Sequence, residues 1–407
     1  DFRPQLDRIM PKTRGKSLFD LSLLSRSARY VTANKEMETL ISLFKSASIY
    51  AFPSLTKDFE DIQQLEAIGT ISDLMPMVDE NRIIVRKGLS LMSKKPLPCL
   101  SYLLAKQNLI GKPISAVNVS FKISPVLNAA GRMGEPETAL ELLLTDEPGK
   151  IEDLTDRLLS LNAARQQNEE DTMKMVSSKA EDSYIDNDGK IVIIDDPSVP
   201  RGLTGSIASR ISNDKRIPVI VLATMDGKVS GSMRCHDPWS ARDFLSSFSH
   251  LLEDYGGHRF AAGFRLDEEK KAEFIARVEE YVREIPEESE ESREIEVDAQ
   301  IPKTFMNEEL WEIRELFEPF GQENEELLFY IPDCEIVESF SVGGNPKYMK
   351  FTIRYGNSQW PAVWWDARNN NEFHPGRHVS VVFTPETNWW KGVGKRQLGI
   401  REMEPLP

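Results

Sequence analysis

The stretch KIVIIDDPSVPRGLTGSIASRISNDKRIPVIVLA, Lys190–Ala223, decides how the chain is read. Two short apolar runs, KIVIID and PVIVLA, read as buried strands, and between them LTGSIASRISND, beginning after Gly202, reads as a helix. Strands alternating with helices imply an α/β layer structure. Working outward, KVSGSMR (Lys228–Arg234) reads as a third strand and WSARDFLSSFSHLLEDY (Trp239–Tyr255) as a helix. GGHRFAAGFRL reads as a loop with a strand, and DEEKKAEFIARVEEYVREI as a closing helix. Upstream, residues 1–115 read mostly as helix: ANKEMETLISLFKSASIYAF and NRIIVRKGLSLMS repeat apolar positions every three or four residues. A second helical block follows Pro136, and its long charged part after Gly149 reads as a connector between two lobes.

Downstream, the run from Glu284 to Asp298 holds eight acids against one arginine, the pattern of a solvated linker. Five short strand candidates follow: EIVESFSV, YMKFTIRYG, WPAVWW, HVSVVFTP and KRQLGIREM. With Gly, Asn and Pro turns between them, they suit a small barrel of the oligonucleotide-binding type, the OB-fold.

Composition narrows the function classes. The 407 residues carry a net charge of −15, which argues against a general polyanion binder. From Ser339 to Arg401, however, nine Lys/Arg stand against three Asp/Glu, so the C-terminal part offers a basic surface. The longest apolar run, Ile217–Ala223, falls far short of the ~20 residues that span a bilayer. No membrane role and no secretory leader are expected. Three widely spaced cysteines (Cys99, Cys235 and Cys334) make no disulfide framework, which fits a cytoplasmic setting. The chain opens at Asp1 without a methionine, and further residues upstream are expected.

Four stretches carry candidate chemistry. In SPVLNAAGRMG, small residues flank Arg132, so its guanidinium either faces an incoming anion or simply stands exposed at a helix-start turn. In GKVSGSMR, Ser232 and Arg234 share a strand face by period-two alternation, making either a phosphate clamp or a solvent-facing pair. In LEDYGGHRFAAGF, Gly256 and Gly257 precede His258. Such a cluster marks a tight turn or a close approach by something bulky, where backbone amides and His258 reach a phosphate. In LEAIGTISDLMPMVDENR, Asp73 is either the N-cap of a short helix at Leu74 or a metal ligand. Two divalent ions about 3.5–4 Å apart can hold both oxygens of a phosphoryl displacement, but that arrangement needs more than one aspartate.

In order and rough spacing, LEAIGTISDLMP, SPVLNAAGRMG, GLTGSIASRI, YGGHRFAAG and LFEPFGQENEE resemble the later motifs of the RecJ single-strand-specific exonucleases of the DHH phosphoesterase superfamily. The likeness runs over roughly residues 60–405. It implies a multi-domain α/β plus all-β fold. Residues 1–135 would be the helical C-terminal part of a DHH catalytic domain and 136–183 a connecting helical segment. Residues 184–285 would be the α/β DHH-associated substrate-binding domain, 286–300 the acidic linker and 301–407 the OB-fold. It also implies that Asp73 is a catalytic ligand of an Mn²⁺ or Mg²⁺ pair. Arg132, Ser232, Arg234, Gly256, Gly257 and His258 would grip substrate phosphates in a cleft, with His258 at the scissile region.

The activity implied is 5′-to-3′ hydrolysis of single-stranded DNA in repair and recombination, with a helicase or a single-strand-binding protein as partner. The family's aspartate-rich first motifs and its Asp-His-His triplet do not occur here, since no two of the five histidines are adjacent. Most metal ligands are therefore expected upstream of residue 1, and these 407 residues alone are expected to hydrolyse nothing. The family's clamp motif has glycine where Met233 stands. Rival readings are a catalytically inactive scaffold and a phosphodiesterase of short oligonucleotides or cyclic dinucleotides.

In the barrel, eleven aromatics lie between Phe340 and Trp390, interleaved with lysine and arginine. Bases stack on exposed rings while cations track the backbone. Alternation in WPAVWW puts Trp360 and Trp364 on one face and Trp365 on the other. Tyr348, Lys350, Trp389, Lys391, Lys395 and Arg396 are the expected nucleic-acid contacts.

Overall fold

A computed structural model of the chain describes residues 3–24, 34–285, 294–343, 345–365, 367, 372–390 and 393–406. They form two compact units, residues 1–121 with 297–407, and residues 122–296.

The first unit begins with the helices α1 (Arg3–Ile9), α2 (Leu18–Leu24), α3 (Lys35–Ala51), α4 (Ser54–Ser72), α5 (Asp79–Lys94), α6 (Pro98–Lys106) and α7 (Ala116–Asn118). α4 and α5 meet at Gly88, where a Cβ would stand 2.4 Å from both the Ala67 Cβ and the Gln63 carbonyl oxygen. Only glycine permits that approach. Ile68, Ile71, Val85, Leu89 and Met92 fill the seam. The buried Gln64 side chain donates to the Lys95 carbonyl at 3.2 Å and accepts from the Leu97 N–H at 3.1 Å, tying α4 to the α5–α6 link.

The turn after α4 differs from expectation. Asp73 is the C-terminal cap of α4 instead of an N-cap, its N–H bonded to the Gly69 carbonyl at 3.0 Å. No helix starts at Leu74, because Leu74 takes a left-handed φ of 53° and Pro76 bars helical geometry at Met75. The chain turns helical again only at Asp79.

The second unit opens with α8 (Ser124–Arg132), α9 (Pro136–Leu144) and the 39-residue α10 (Pro148–Asp186). Its sheet comprises β1 (Val192–Asp195), β2 (Val219–Met225), β3 (Lys228–Arg234), β4 (Asp254–Gly257) and β5 (Ala261–Asp267), in the order β1-β2-β3-β5-β4. Only β1 and β2 pair in parallel, joined through α11 (Thr204–Lys215). α12 (Ala241–Ser246) and α13 (Lys271–Glu284) complete the unit.

Alternation divides the sheet cleanly. Ile193, Ile220, Leu222, Met233, Ala262, Phe264 and Leu266 pack on one face with Phe274 and Val278 of α13. Val192, Ile194, Val219 and Val221 pack on the other with Ile207, Ala208 and Ile211 of α11 and Val176 of α10. Gly231 belongs to the first face, where a Cβ would stand 2.1 Å from the Phe264 ring.

The expected helix Trp239–Tyr255 is shorter than its pattern. It ends at Ser246, passes through turns closed by Phe248 N–H to Leu245 and Leu251 N–H to Phe248, and becomes strand at Asp254. Tyr255 and Gly256 oppose Phe264 and Gly263 of β5, so sheet pairing takes this segment over from its helical pattern.

Of the acidic linker, residues 286–293 lie outside the described residues. The first unit resumes with β6 (Ala299–Gln300) and α14 (Glu309–Phe317), then β7 (Phe329–Val342), β8 (Asn345–Tyr355), β9 (Ser358–Trp364), β10 (His378–Trp390) and β11 (Val393–Pro405). β7-β8-β9-β11-β10 closes on itself through β10–β7, giving the expected five-stranded OB barrel. Its core holds Ile331, Ile336, Phe351, Ile353, Trp364, Val381, Phe383 and Leu398. The stretch LFEPFGQENEE staples the barrel to the helices of the same unit. The Met77 N–H donates to the Gln322 carbonyl at 2.7 Å, and Arg82 Nη2 donates to the Phe317 carbonyl at 2.9 Å.

Candidate functional site

The face of the second unit's sheet that carries α11 changes character at β3. Val219 and Val221 lie under the helix, but their cross-strand partners are Arg234 and Ser232. Ser232 in turn opposes Gly263 of β5, which opposes Gly256 of β4. The strip beside Ser232 is therefore bare backbone, and a Cβ at Gly256 would meet nothing within 4 Å.

Over this border stands the start of α11, whose first turn no side chain caps. The buried Thr204 places its Oγ1 2.9 Å from Ser232 Oγ. Arg234 is half-buried and held by neutral acceptors: Nε donates to Ser209 Oγ at 3.0 Å, and Nη1 to the Met233 carbonyl at 2.8 Å. Arg132, at the end of α8, donates from Nη1 to the Gly202 carbonyl at 3.0 Å, just ahead of α11. Among the described residues, neither guanidinium has a carboxylate within 4.0 Å. Burial pushes the Arg234 pKa below the ordinary arginine value, and the nearby positive charge of Arg132 pushes it the same way. Two uncompensated cations, two hydroxyls and a helix start make an arrangement able to receive an anion.

His258 sits in the turn of the β4–β5 hairpin, its N–H donating to the Ala261 carbonyl at 2.8 Å. Ala261 also opposes Arg234, so His258 lies two strands from Arg234, roughly 10 Å at the usual interstrand spacing. The two neighbouring glycines serve different ends. Gly257 is required by the backbone, with φ of 142° and a would-be Cβ 2.3 Å from the Ala261 oxygen, whereas Gly256 keeps the strip open. Met233 is fully buried on the face opposite Ser232 and Arg234.

Asp73 lies exposed in the other unit. One carboxylate does not hold two ions, and among the described residues no three His, Cys, Asp or Glu side chains converge on a common point. The residues present do not by themselves fit a two-metal centre.

In the barrel, Tyr348 and Trp365 form an edge-on pair with centroids 5.6 Å apart, 40% and 53% exposed. Lys350 follows Tyr348 on the same strand face and opposes the exposed Phe340. Trp389 is also exposed and lies across Gly394, where a Cβ would stand 3.3 Å from its ring. Lys395 is exposed on β11. Arg396 is occupied within the barrel: its Nη1 lies 2.8 Å from Glu308 Oε2 and its guanidinium sits over the Trp311 ring. Lys391 lies outside the described residues.

The sequence reading missed Thr204, Gly205, Ser209 and Trp365. The small and hydroxyl residues of TGSIAS at a helix start were the available signal for the first three.

A mixed α/β domain and a five-stranded OB barrel in one chain define a class by fold, the DHH type. Residues 188–284 match the DHHA1 domain, and residues 297–402 match the RecJ OB domain. The RecJ single-stranded-DNA-specific exonuclease of Thermus thermophilus is 37% identical over 267 residues, covering 66% of this chain and 38% of that protein. The Bacillus subtilis counterpart is 28% identical over 354 residues, covering 84% of this chain and 44% of that protein. The crystal structure of Thermus thermophilus RecJ in complex with Mg²⁺ matches with a TM-score of 0.69 and 31% identity, covering 86% of this chain and 52% of that one. A second structure of the same protein holds Mn²⁺. The chain belongs to the RecJ family and spans about half the length, or less, of these relatives.

Proposed function

We propose that the chain binds single-stranded DNA as part of a metal-dependent exonuclease of 5′-to-3′ polarity, serving DNA repair and recombination in the cytoplasm. The observation that carries this is the pair Arg132 and Arg234, uncompensated by any described carboxylate and set against Ser232 and Thr204. In this reading both guanidiniums take phosphate oxygens. On that reading Ser232 accepts from the Thr204 hydroxyl and donates its own proton to the same phosphate. The bare strip of Gly263 and Gly256 lets a sugar-phosphate chain lie against the sheet, and His258 meets it at the hairpin end.

The barrel adds Tyr348, Trp365 and Trp389 as stacking surfaces, with Lys350 and Lys395 beside them. Those rings support a strand substrate over a cyclic dinucleotide, which needs no extended track. Asp73 would supply a single carboxylate to a divalent ion, so the 407 residues bind without cutting. A helicase or a single-strand-binding protein is the partner class implied.

The test is fluorescence anisotropy with a labelled single strand and its duplex over a salt series. Tighter binding of the single strand, weakened by salt and by Arg234→Ala, is expected. Equal affinity for both forms, or affinity indifferent to Arg234→Ala, refutes the proposal. Cutting of the strand with added Mn²⁺ refutes the binding-only part.

A further inference from the structure

We propose that Ser209 and Gly205 of α11 are positioning residues, which fix the Arg234 guanidinium in the orientation that receives a phosphate. The inference rests on the anion-site reading above and assigns work to residues outside the grip itself.

A serine hydroxyl has one proton and two lone pairs. Ser209 Oγ spends its proton on the Gly205 carbonyl, 2.9 Å away, one helical turn back. What remains can only accept, and it accepts the Arg234 Nε–H at 3.0 Å. The Met233 carbonyl takes Nη1 at 2.8 Å. With Nε–H and one Nη1–H pinned, the guanidinium plane is fixed, and the second Nη1–H and both Nη2–H remain as donors. Nη2 lies 2.8 Å from where a Cβ of residue 205 would be, so any side chain there displaces it.

Both acceptors are neutral, and that choice has a consequence. A carboxylate would orient the arginine equally well, but it would cancel the charge that an arriving phosphate senses. A hydroxyl back-bonded to its own helix orients without neutralising. The alternative is that Ser209 merely braces α11 against β3.

A double-mutant cycle on the full chain separates the two, read by anisotropy with a labelled single-stranded oligonucleotide and by the rise in Tm on adding inorganic phosphate. Ser209→Ala should weaken oligonucleotide binding about 3- to 10-fold and shrink the phosphate-induced rise in Tm. In an Arg234→Ala background the same change should do nothing, within about twofold. Ser209→Thr should keep binding, and Gly205→Ala should lose it. The salt dependence should survive Ser209→Ala, because no charge is removed, and fall with Arg234→Ala. Equal losses from Ser209→Ala in both backgrounds, or no loss in the native one, overturn the proposal. If phosphate raises Tm in a Ser209-dependent way while no oligonucleotide binds, the single-strand reading fails and the positioning role stands.

Discussion

Arg132 and Arg234 lie close enough for the charge of one to depress the pKa of the other, and no described carboxylate balances either. Such a pair raises the free energy of the empty site and lowers it on binding an anion. Removing either cation should therefore cost affinity and counterion release together. Arg132→Ala and Arg234→Ala should each reduce the log–log salt slope of single-strand binding by about 0.7 for each phosphate that the arginine neutralises. Arg234→Lys should restore the slope and not the affinity, since an ammonium lacks the planar fork that meets the Ser209 and Met233 acceptors and a phosphate together. An unchanged slope in both alanine variants would show that neither guanidinium meets a phosphate. A second residue sets an acid limit on stability. Asp196 is held down to about 2 by Lys179 Nζ at 2.6 Å and by the Ser198 hydroxyl and N–H. Because the folded value lies below the unfolded one, its contribution is complete above about pH 5 and fades as pH falls toward 2. Asp196→Asn should lower stability at pH 7 by on the order of 1–2 kcal/mol and flatten the decline between pH 5 and 2, as read by denaturant titration. Equal acid sensitivity in the variant would clear Asp196. Legibility at this scale followed chemistry that is local in sequence. Ser232 and Arg234 share a face by alternation alone. Ser209 meets Arg234 only because α11 crosses β3, a fact of tertiary packing that neither segment's spacing contains.

Among the elements, the same residue type serves opposite purposes on one sheet. Gly231 faces the core, where the Phe264 ring fills the space a Cβ would need, and Gly256 faces open space beside Ser232. Gly231→Ala should destabilise the second unit by about 1–3 kcal/mol through overpacking. Gly256→Ala should leave Tm within about a degree or two and lower single-strand affinity by crowding the bare strip. Thermal unfolding and anisotropy on the same two variants check the contrast. Loss of stability in Gly256→Ala, or none in Gly231→Ala, would invert the assignment. The glycines themselves were visible in the sequence, and their directions were not, because direction depends on which strands pair. The same cause explains the misread Trp239–Tyr255 segment. Its apolar spacing is helical, but β5 offers Asp254–Gly257 a partner strand, and the availability of a partner leaves no trace in a segment's own periodicity. The strands KIVIID and PVIVLA were legible because burial on both faces makes them apolar throughout.

For the molecule as a whole, a net charge of −15 forces the question of where attraction to DNA resides. The barrel region is rich in Lys and Arg, but much of that charge is spent internally. Arg354 pairs with Glu335 at 2.7 Å, Arg396 with Glu308 at 2.8 Å, and Arg401 with Glu326. The basic excess over Ser339–Arg401 therefore overstates the field the barrel projects, since it leaves out the acids upstream of that range that fold back on it. What the barrel does present is aromatic surface. Alternation separated the buried Trp364 from the exposed Trp365, although only closure of β10 onto β7 decides which side is interior. The two units should thus contribute different physics to one affinity: charge from the arginines of residues 122–296, stacking from the barrel. Trp365→Ala, alone or with Tyr348→Ala, should weaken binding of an ordinary single strand about fivefold or more, the low end of ~1–3 kcal/mol per stacked base. It should do so with the salt slope intact, because no cation is removed. On an abasic strand, which keeps every phosphate and no bases, the same substitution should have no effect. A weakened abasic complex, or a slope that falls with Trp365→Ala, would mean that the barrel holds the backbone and that its exposed rings are bystanders.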